Sequence, residues 1–460
     1  MLFPAHQREA WHSSADIVLI MRRFSKRISD RITGADKRKS AASKKLGEIE
    51  AYKATPAYRK AKALLESLYC AKAVNEPVQK HEERVESGRR GVSLPFIKVF
   101  IDFIEEKGGD LEAEMEQVCR SGKTSVCNLT ACTGLSLVES CIYIMRNNPK
   151  EYKGLFGRAT TFFSYSWTGT SLIDVFESLK QVTVAELPLG HTHSYFWIDM
   201  FCASQNLLAG KFKHLNDSKG KPWKEDTDNI FKGAIETTKE VVFYCSPLVD
   251  TWVAPPHPYL RDDKGEPPKN WERKGPRAIT RAWCLFEVAE SLQKKNCKLY
   301  VALSPQDRKH LSTMLTESFD DIITVFADTD ANEAQISKVD DRDFILGEIN
   351  KLNKGLEEIN DQVKSGLRTW LADTAKRLEK GVTGLDLAKL KNGRVKLLQQ
   401  QGRFSEGVKC AQEALQLYRK HGEESDIATG LNNLAGLLRA QVSLSGKMCA
   451  RASSKTGVGC

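Results

Sequence analysis

The chain has 460 residues, room for two or three compact domains, and its composition of 41% hydrophobic and 28% charged residues is ordinary for a globular protein. No uninterrupted apolar run is long enough to span a bilayer, and Ile17 to Met21 meets Arg22 and Arg23 too soon for a secretory signal. The formal charge is +10. The twelve cysteines include no Cys-x-x-Cys pair; Cys127 and Cys132 stand closest, without a His or Cys group to close a zinc site, so the thiols read as reduced and intracellular.

Residues 1–92 carry much of the positive charge, in a run from Arg22 through Arg31 to Lys45. A solvated helix or a disordered tail accounts for it better than a grip on nucleic acid or an acidic membrane. Asp16, Asp30 and Asp36 argue against a transit peptide. Ala57 to Ala73 has helix-spaced Ala, Leu and Tyr, and Ser87-Gly88-Arg89-Arg90-Gly91 is a breaker. A helix is predicted from Pro95 to Gly108-Gly109, then helix and turn from Leu111 to Met145, making 93–156 a helical segment. Asn128-Leu129-Thr130 matches a glycosylation sequon that an intracellular protein would not use.

From Gly157 the texture changes. Strands are expected at Ala159–Tyr165, Ser194–Phe201, Glu240–Cys245 and Cys297–Leu303, with a fifth at Ile322–Val325. Helices are expected at Ser171–Gln181, Asn229–Thr237 and Thr280–Leu292. Strands alternating with helices imply an α/β domain over 157–330, with a parallel sheet covered on both faces. Ligands of such sheets bind beyond the carboxyl ends of the strands, here the loops after Tyr165, Phe201 and Cys245. Pro255 to Pro276 reads as an exposed inserted loop. Connecting helices follow over 331–384, with an amphipathic stretch from Asp341 to Trp370 broken near Gly355.

Four fragments carry a resemblance. Phe162-Phe163-Ser164-Tyr165-Ser166, Phe196-Trp197-Ile198-Asp199, Val242 to Pro247 and Trp283-Cys284-Leu285-Phe286-Glu287 resemble, in order, pieces of TIR domains. Trp197 to Gln205 is also similar to a stretch of fungal heterokaryon-incompatibility domains; Cys202 and Gln205 match, while Ser204 stands where that family has Asn. The TIR resemblance implies a flavodoxin-like parallel sheet. Leu397 to Glu406, Glu413-Ala414-Leu415 and Asp426 to Ala435 resemble kinesin-light-chain-type tetratricopeptide repeats over 385–442, with Gly402 at the turn and Gly407 where the family usually has Ala. Val442 replaces the next turn Gly, and 443–460 is expected to be a disordered tail. One and a half repeats cannot bury their own face, so the pattern predicts a truncated array in preference to helices docked elsewhere on the chain.

Many TIR domains cleave NAD between nicotinamide and ribose, and the resemblance implies that Glu287 is the essential carboxylate. Such a group binds ribose hydroxyls and stabilises an oxocarbenium-like transition state. Trp283 lies one helical turn away and would offer a π-face beside a solvent-facing Glu287. An ordinary surface acid next to a core Trp fits the same spacing. Tyr165, Ser166 and Trp167 occupy the loop that touches nucleotide in TIR enzymes; a strand end with an aromatic plug is the alternative. Asp199 would meet a ribose hydroxyl, or else cap or pair. Cys284 is expected to be buried, and His191 and His193 lack a third metal ligand. No cofactor is expected, NAD being a substrate. No phosphate loop, Gly-x-Ser-x-Gly elbow or His-Glu-x-x-His helix is present.

Two functions follow as expectations. One is a cytoplasmic signalling protein with a TIR-type NAD glycohydrolase that depends on self-association, coupled to repeats that bind a peptide or protein. The other is a non-enzymatic adaptor that meets other TIR-like domains. A kinesin-linked cargo adaptor lacks coiled-coil heptads to support it.

Overall fold

The computed structural model describes residues 53–71, 84–146, 154–185, 194–212, 227–254, 271–294, 296–335, 345, 347, 348, 351 and 355–456. Contacts divide the chain into two units, Met1–Lys60 and Ala61–Cys460. Of the first, only residues 53–60 are described; they carry the opening of helix α1 (Pro56–Cys70). The basic run from Arg22 to Lys45, His191, His193 and positions 255–270 of the expected inserted loop lie outside the described residues.

The second unit is built on a six-stranded sheet. Its strands are β1 (Gly91–Ser93), β2 (Phe156–Gly157), β3 (Thr161–Ser164), β4 (Tyr195–Trp197), β5 (Glu240–Tyr244) and, beyond a separate antiparallel pair, β6 (Thr251–Ala254) with β7 (Trp271–Lys274), the edge strand β8 (Lys298–Ala302). The order is β2-β1-β4-β3-β5-β8. β4, β3, β5 and β8 run parallel, whereas β1 is antiparallel to both β2 and β4. Every residue of β3 and β5 is buried, as strands covered on both faces require.

Ahead of the parallel strands stand α2 (Leu94–Glu106), α3 (Met115–Arg120), α4 (Val126–Leu129) and α5 (Leu137–Ile144). α2 begins as expected: the Ser93 hydroxyl accepts from the Phe96 N–H, and Pro95 occupies the first turn, where its missing donor costs nothing. Parallel neighbours need crossovers. β3 returns through α6 (Leu172–Ala185). β4 leads through α7 (Asp199–Cys202), α8 (Gln205–Leu208) and α9 (Thr227–Thr237), and β5 reaches β8 by way of α10 (Ala282–Gln293).

The sheet reaches back before 157. β1 lies inside the expected breaker and helix start, and its Gly91 allows a close approach: a Cβ there would stand 2.9 Å from the Ala159 Cα. The expected fifth strand at Ile322–Val325 is instead helical. After α11 (Pro305–Glu317), α12 (Phe319–Ala327) buries Phe319, Ile322, Val325 and Phe326, a three- and four-residue recurrence that turns one helix face to the core.

The C-terminal part is helical: α13 (Leu356–Leu378), α14 (Gly384–Gln400), α15 (Phe404–His421) and α16 (Glu424–Thr456). Gly402, at φ +70°, makes the turn between α14 and α15, a conformation glycine adopts without steric cost. A Cβ on Gly407 would stand 2.9 Å from the Leu437 side chain, so glycine lets α16 close on α15. α16 runs through Ser443 to Thr456, so most of the expected disordered tail is helix; Val442 offers no turn to stop it. The arm also seats on its own chain. α14 packs against α11, α12 and α13, and Gly393 lies under the Phe319 ring. Lys396 pairs with Asp320 at 2.6 Å.

Candidate functional site

β3 ends at Ser164, beside β5, where the chain's crossovers diverge to opposite sides of the sheet. Such a switch point is where open α/β sheets leave a crevice. Glu287 arrives there from α10. The Ser164 hydroxyl donates to Glu287 Oε2 at 2.7 Å, and one turn earlier the Cys284 thiol donates to the Tyr165 carbonyl at 3.2 Å. Both α10 residues therefore face the end of β3. The expected solvent-facing carboxylate is corrected: Glu287 is only 7% exposed. Burial drives its pKa well above the usual carboxylate value. The nearby Asp199 charge pushes the same way, and the Ser164 hydrogen bond opposes both. Helix spacing puts Glu287 on an outward face with Trp283; instead Glu287 turns inward with Cys284 toward the end of β3.

The strand expected over Ser194–Phe201 stops at Trp197, and Asp199 opens α7 directly after β4. Its carboxylate accepts from the Tyr165 hydroxyl at 2.7 Å, the Trp167 indole N–H at 2.6 Å and the Met200 N–H at 2.6 Å. Burial raises the Asp199 pKa, against the pull of those donors. Burial also raises the Tyr165 pKa well above 10, with Asp199 adding to it. Ser166 is buried and exchanges a 3.2 Å hydrogen bond with Thr168. Trp167 is half-buried under the Arg120 guanidinium, 5.3 Å from the ring centre.

Trp283 belongs to a different group. It stacks on Phe231 of α9 at 4.9 Å and meets Phe286 edge-on at 6.3 Å. Phe231 in turn meets Trp197 at 5.1 Å, and Trp197 stacks on Phe162 at 5.1 Å. This aromatic column ties α9 and α10 to the sheet. The structure thus joins Tyr165, Trp167 and Asp199 in one clamp with Glu287 close behind it, while Trp283 packs elsewhere. Ser164 and Arg120 were not anticipated. Ser164 sat unmarked inside the first TIR-like fragment, and Arg120 comes from a segment with no local signal for this contact.

A cavity of about 730 Å³ lies away from this cluster, between β8 and α13, and includes Tyr300, Gly366 and Trp370 in its wall. None of the five main cavities is lined by Glu287, Asp199 or Trp167. Among the described residues no group of three or more His, Cys, Asp or Glu could hold a metal ion, and no helix is long and apolar enough to cross a membrane. No family model, curated protein or solved structure matches the chain.

Proposed function

We propose that the chain is an intracellular signalling adaptor, with a TIR-like flavodoxin-type domain and a tetratricopeptide-type arm. Numbering only the parallel strands along the chain, the sheet reads second, first, third, fourth, the start of the flavodoxin-like order. The α14–α15 hairpin turning at Gly402, with small residues Gly407, Ala411 and Ala414 buried in it, supports a repeat-type arm. The observation that carries the adaptor reading is the sealed carboxyl: Glu287 is buried and occupied by Ser164 where a TIR enzyme would present it to ribose.

One observation favours NAD cleavage as the second reading. A carboxyl with a raised pKa at a sheet's switch point, beside a second carboxylate held by Tyr165 and Trp167, is a costly arrangement of the kind that collects at reactive sites. The test is nicotinamide release from NAD by the full chain over a wide range of protein concentration, since TIR enzymes commonly complete one pocket from two subunits. The adaptor reading expects wild type and Glu287→Gln to release equally little. Release by wild type that Glu287→Gln lowers tenfold or more would replace it with the enzyme.

A further inference from the structure

α16 has two apolar faces, and the chain covers one of them. Leu437 is fully buried among Val395, Leu398, Cys410 and Ala411, and Leu434 packs on the same cluster. Ile427 packs on Ala388, Ala414 and Tyr418. One position further along, a second series repeats that spacing: Ala428, Leu431, Ala435, Leu438 and Val442. A step of one residue turns about 100° round a helix, so the second series forms its own stripe beside the covered face, about four turns long. All five of its residues are exposed. Leu431 and Leu438 are each 46% exposed and Val442 71%; Ile144 is the only other large apolar side chain so exposed among the described residues. Single exposed apolar residues are ordinary, whereas a contiguous row marks a contact surface.

The charges say what fits the stripe. α16 opens with Glu424 and Asp426, and no acid follows them; the bases Arg439, Lys447, Arg451 and Lys455 occupy the rest of its sequence. A second α16 running the opposite way sets each acidic end beside a basic one, while a parallel copy would set like on like. Side-chain size agrees. About a two-fold axis at Ala435, the two Ala435 positions meet at the centre, where small side chains let the helices close. Val442 of one copy then faces Ala428 of the other, large against small, and Leu431 comes beside the other copy's Leu438. An isologous contact needs a surface that matches itself in this way.

The geometry points to α16 as a homodimer contact, in which two copies of this chain pair antiparallel through the stripe from Ala428 to Val442. Four helical turns make a small interface, below about 1,200 Å², so the pair is expected to dissociate within roughly 1–100 µM. Pairing at the arm joins two α/β units in one assembly and raises the effective concentration of each for the other.

The experiment follows the full chain by sedimentation equilibrium across that concentration range. Wild type should pass from monomer to dimer. Leu438→Glu puts a charge into the stripe and should weaken the dimer by about tenfold or more, with far-ultraviolet ellipticity unchanged. Direction is read by cross-linking under mild oxidation. A mixture of Ala428→Cys and Val442→Cys chains should form a disulfide between the two substituted positions, located by peptide mapping, whereas Val442→Cys alone should not link to itself there. A monomer at every concentration, a Leu438→Glu dimer as tight as wild type, or Val442→Cys linking to itself as readily as to Ala428→Cys would overturn the proposal. The wild-type and cross-linking arms decide it even if Leu438→Glu fails to fold.

Discussion

Burying the Glu287 carboxyl penalises its charged form, and that sets a pH dependence with a definite sign. The folded group keeps its proton at pH values where the unfolded chain, titrating near 4.5, has released it. The folded state therefore binds more protons across that window. Its advantage is complete below the unfolded pKa and declines as pH rises toward the folded one. Each unit of separation is worth about 1.4 kcal/mol. Glu287→Gln still offers Ser164 an acceptor and cannot ionise. Urea midpoints of the two proteins should lie closest near pH 4 and separate toward pH 8, with the Gln variant the more stable there; curves that stay parallel would mean that the carboxyl ionises freely and is not sealed. The identity of this residue was legible in Trp283-Cys284-Leu285-Phe286-Glu287, its burial was not. The four-residue spacing pairs Glu287 with Trp283, whereas the fold turns it with Cys284 onto Ser164, 123 positions away in sequence, a contact that no local pattern reports.

Elements were legible in proportion to their length and to how far both faces were covered. β3 and β5 announce themselves by the runs Phe162-Phe163 and Val241 to Tyr244; Glu240, the buried acid that opens β5, accepts from the Thr161 hydroxyl at 2.9 Å. β1 and β2, three and two residues long, have no period to detect and exist because β4 offers an edge. The four-residue window Ile322–Val325 fits either a strand or a helix turn, and only the flanking Phe319 and Phe326 reveal the helix. The seat of the arm makes a prediction at this scale. Alanine for a glycine inside a helix normally stabilises by about 0.5–1 kcal/mol. Gly436 in α16 has its nearest neighbour 3.9 Å from a would-be Cβ and should follow that rule. A Cβ on Gly393 would stand 2.4 Å from the Phe319 ring, and overpacking of that kind costs about 1–3 kcal/mol. Thermal unfolding should therefore rise for Gly436→Ala and fall for Gly393→Ala. A Gly393→Ala protein as stable as Gly436→Ala would mean that α14 does not rest on α12.

Across the Ala61–Cys460 unit, α13 is the shared wall. It packs on α10, α12 and β8 on one side and on α14 on the other. Ile359, Val363, Leu367 and Leu371 are buried along it, and Trp370 meets Phe326 edge-on at 6.4 Å. A sequence pattern of helices following strands suggests separable modules; a helix with apolar contacts on both sides binds them into one cooperative body. The tryptophans allow this to be measured, because none occurs after Trp370, so α14–α16 contribute helical ellipticity but no indole fluorescence. In a urea titration the two signals should give one coincident transition. Leu367→Ala removes a fully buried side chain at the centre of the wall and should lower the unfolding free energy by about 2–5 kcal/mol, shifting both signals together. If ellipticity fell first while fluorescence held, the arm would be an independent module, and the contact between Phe319 and Gly393 would be too weak to couple the C-terminal helices to the sheet.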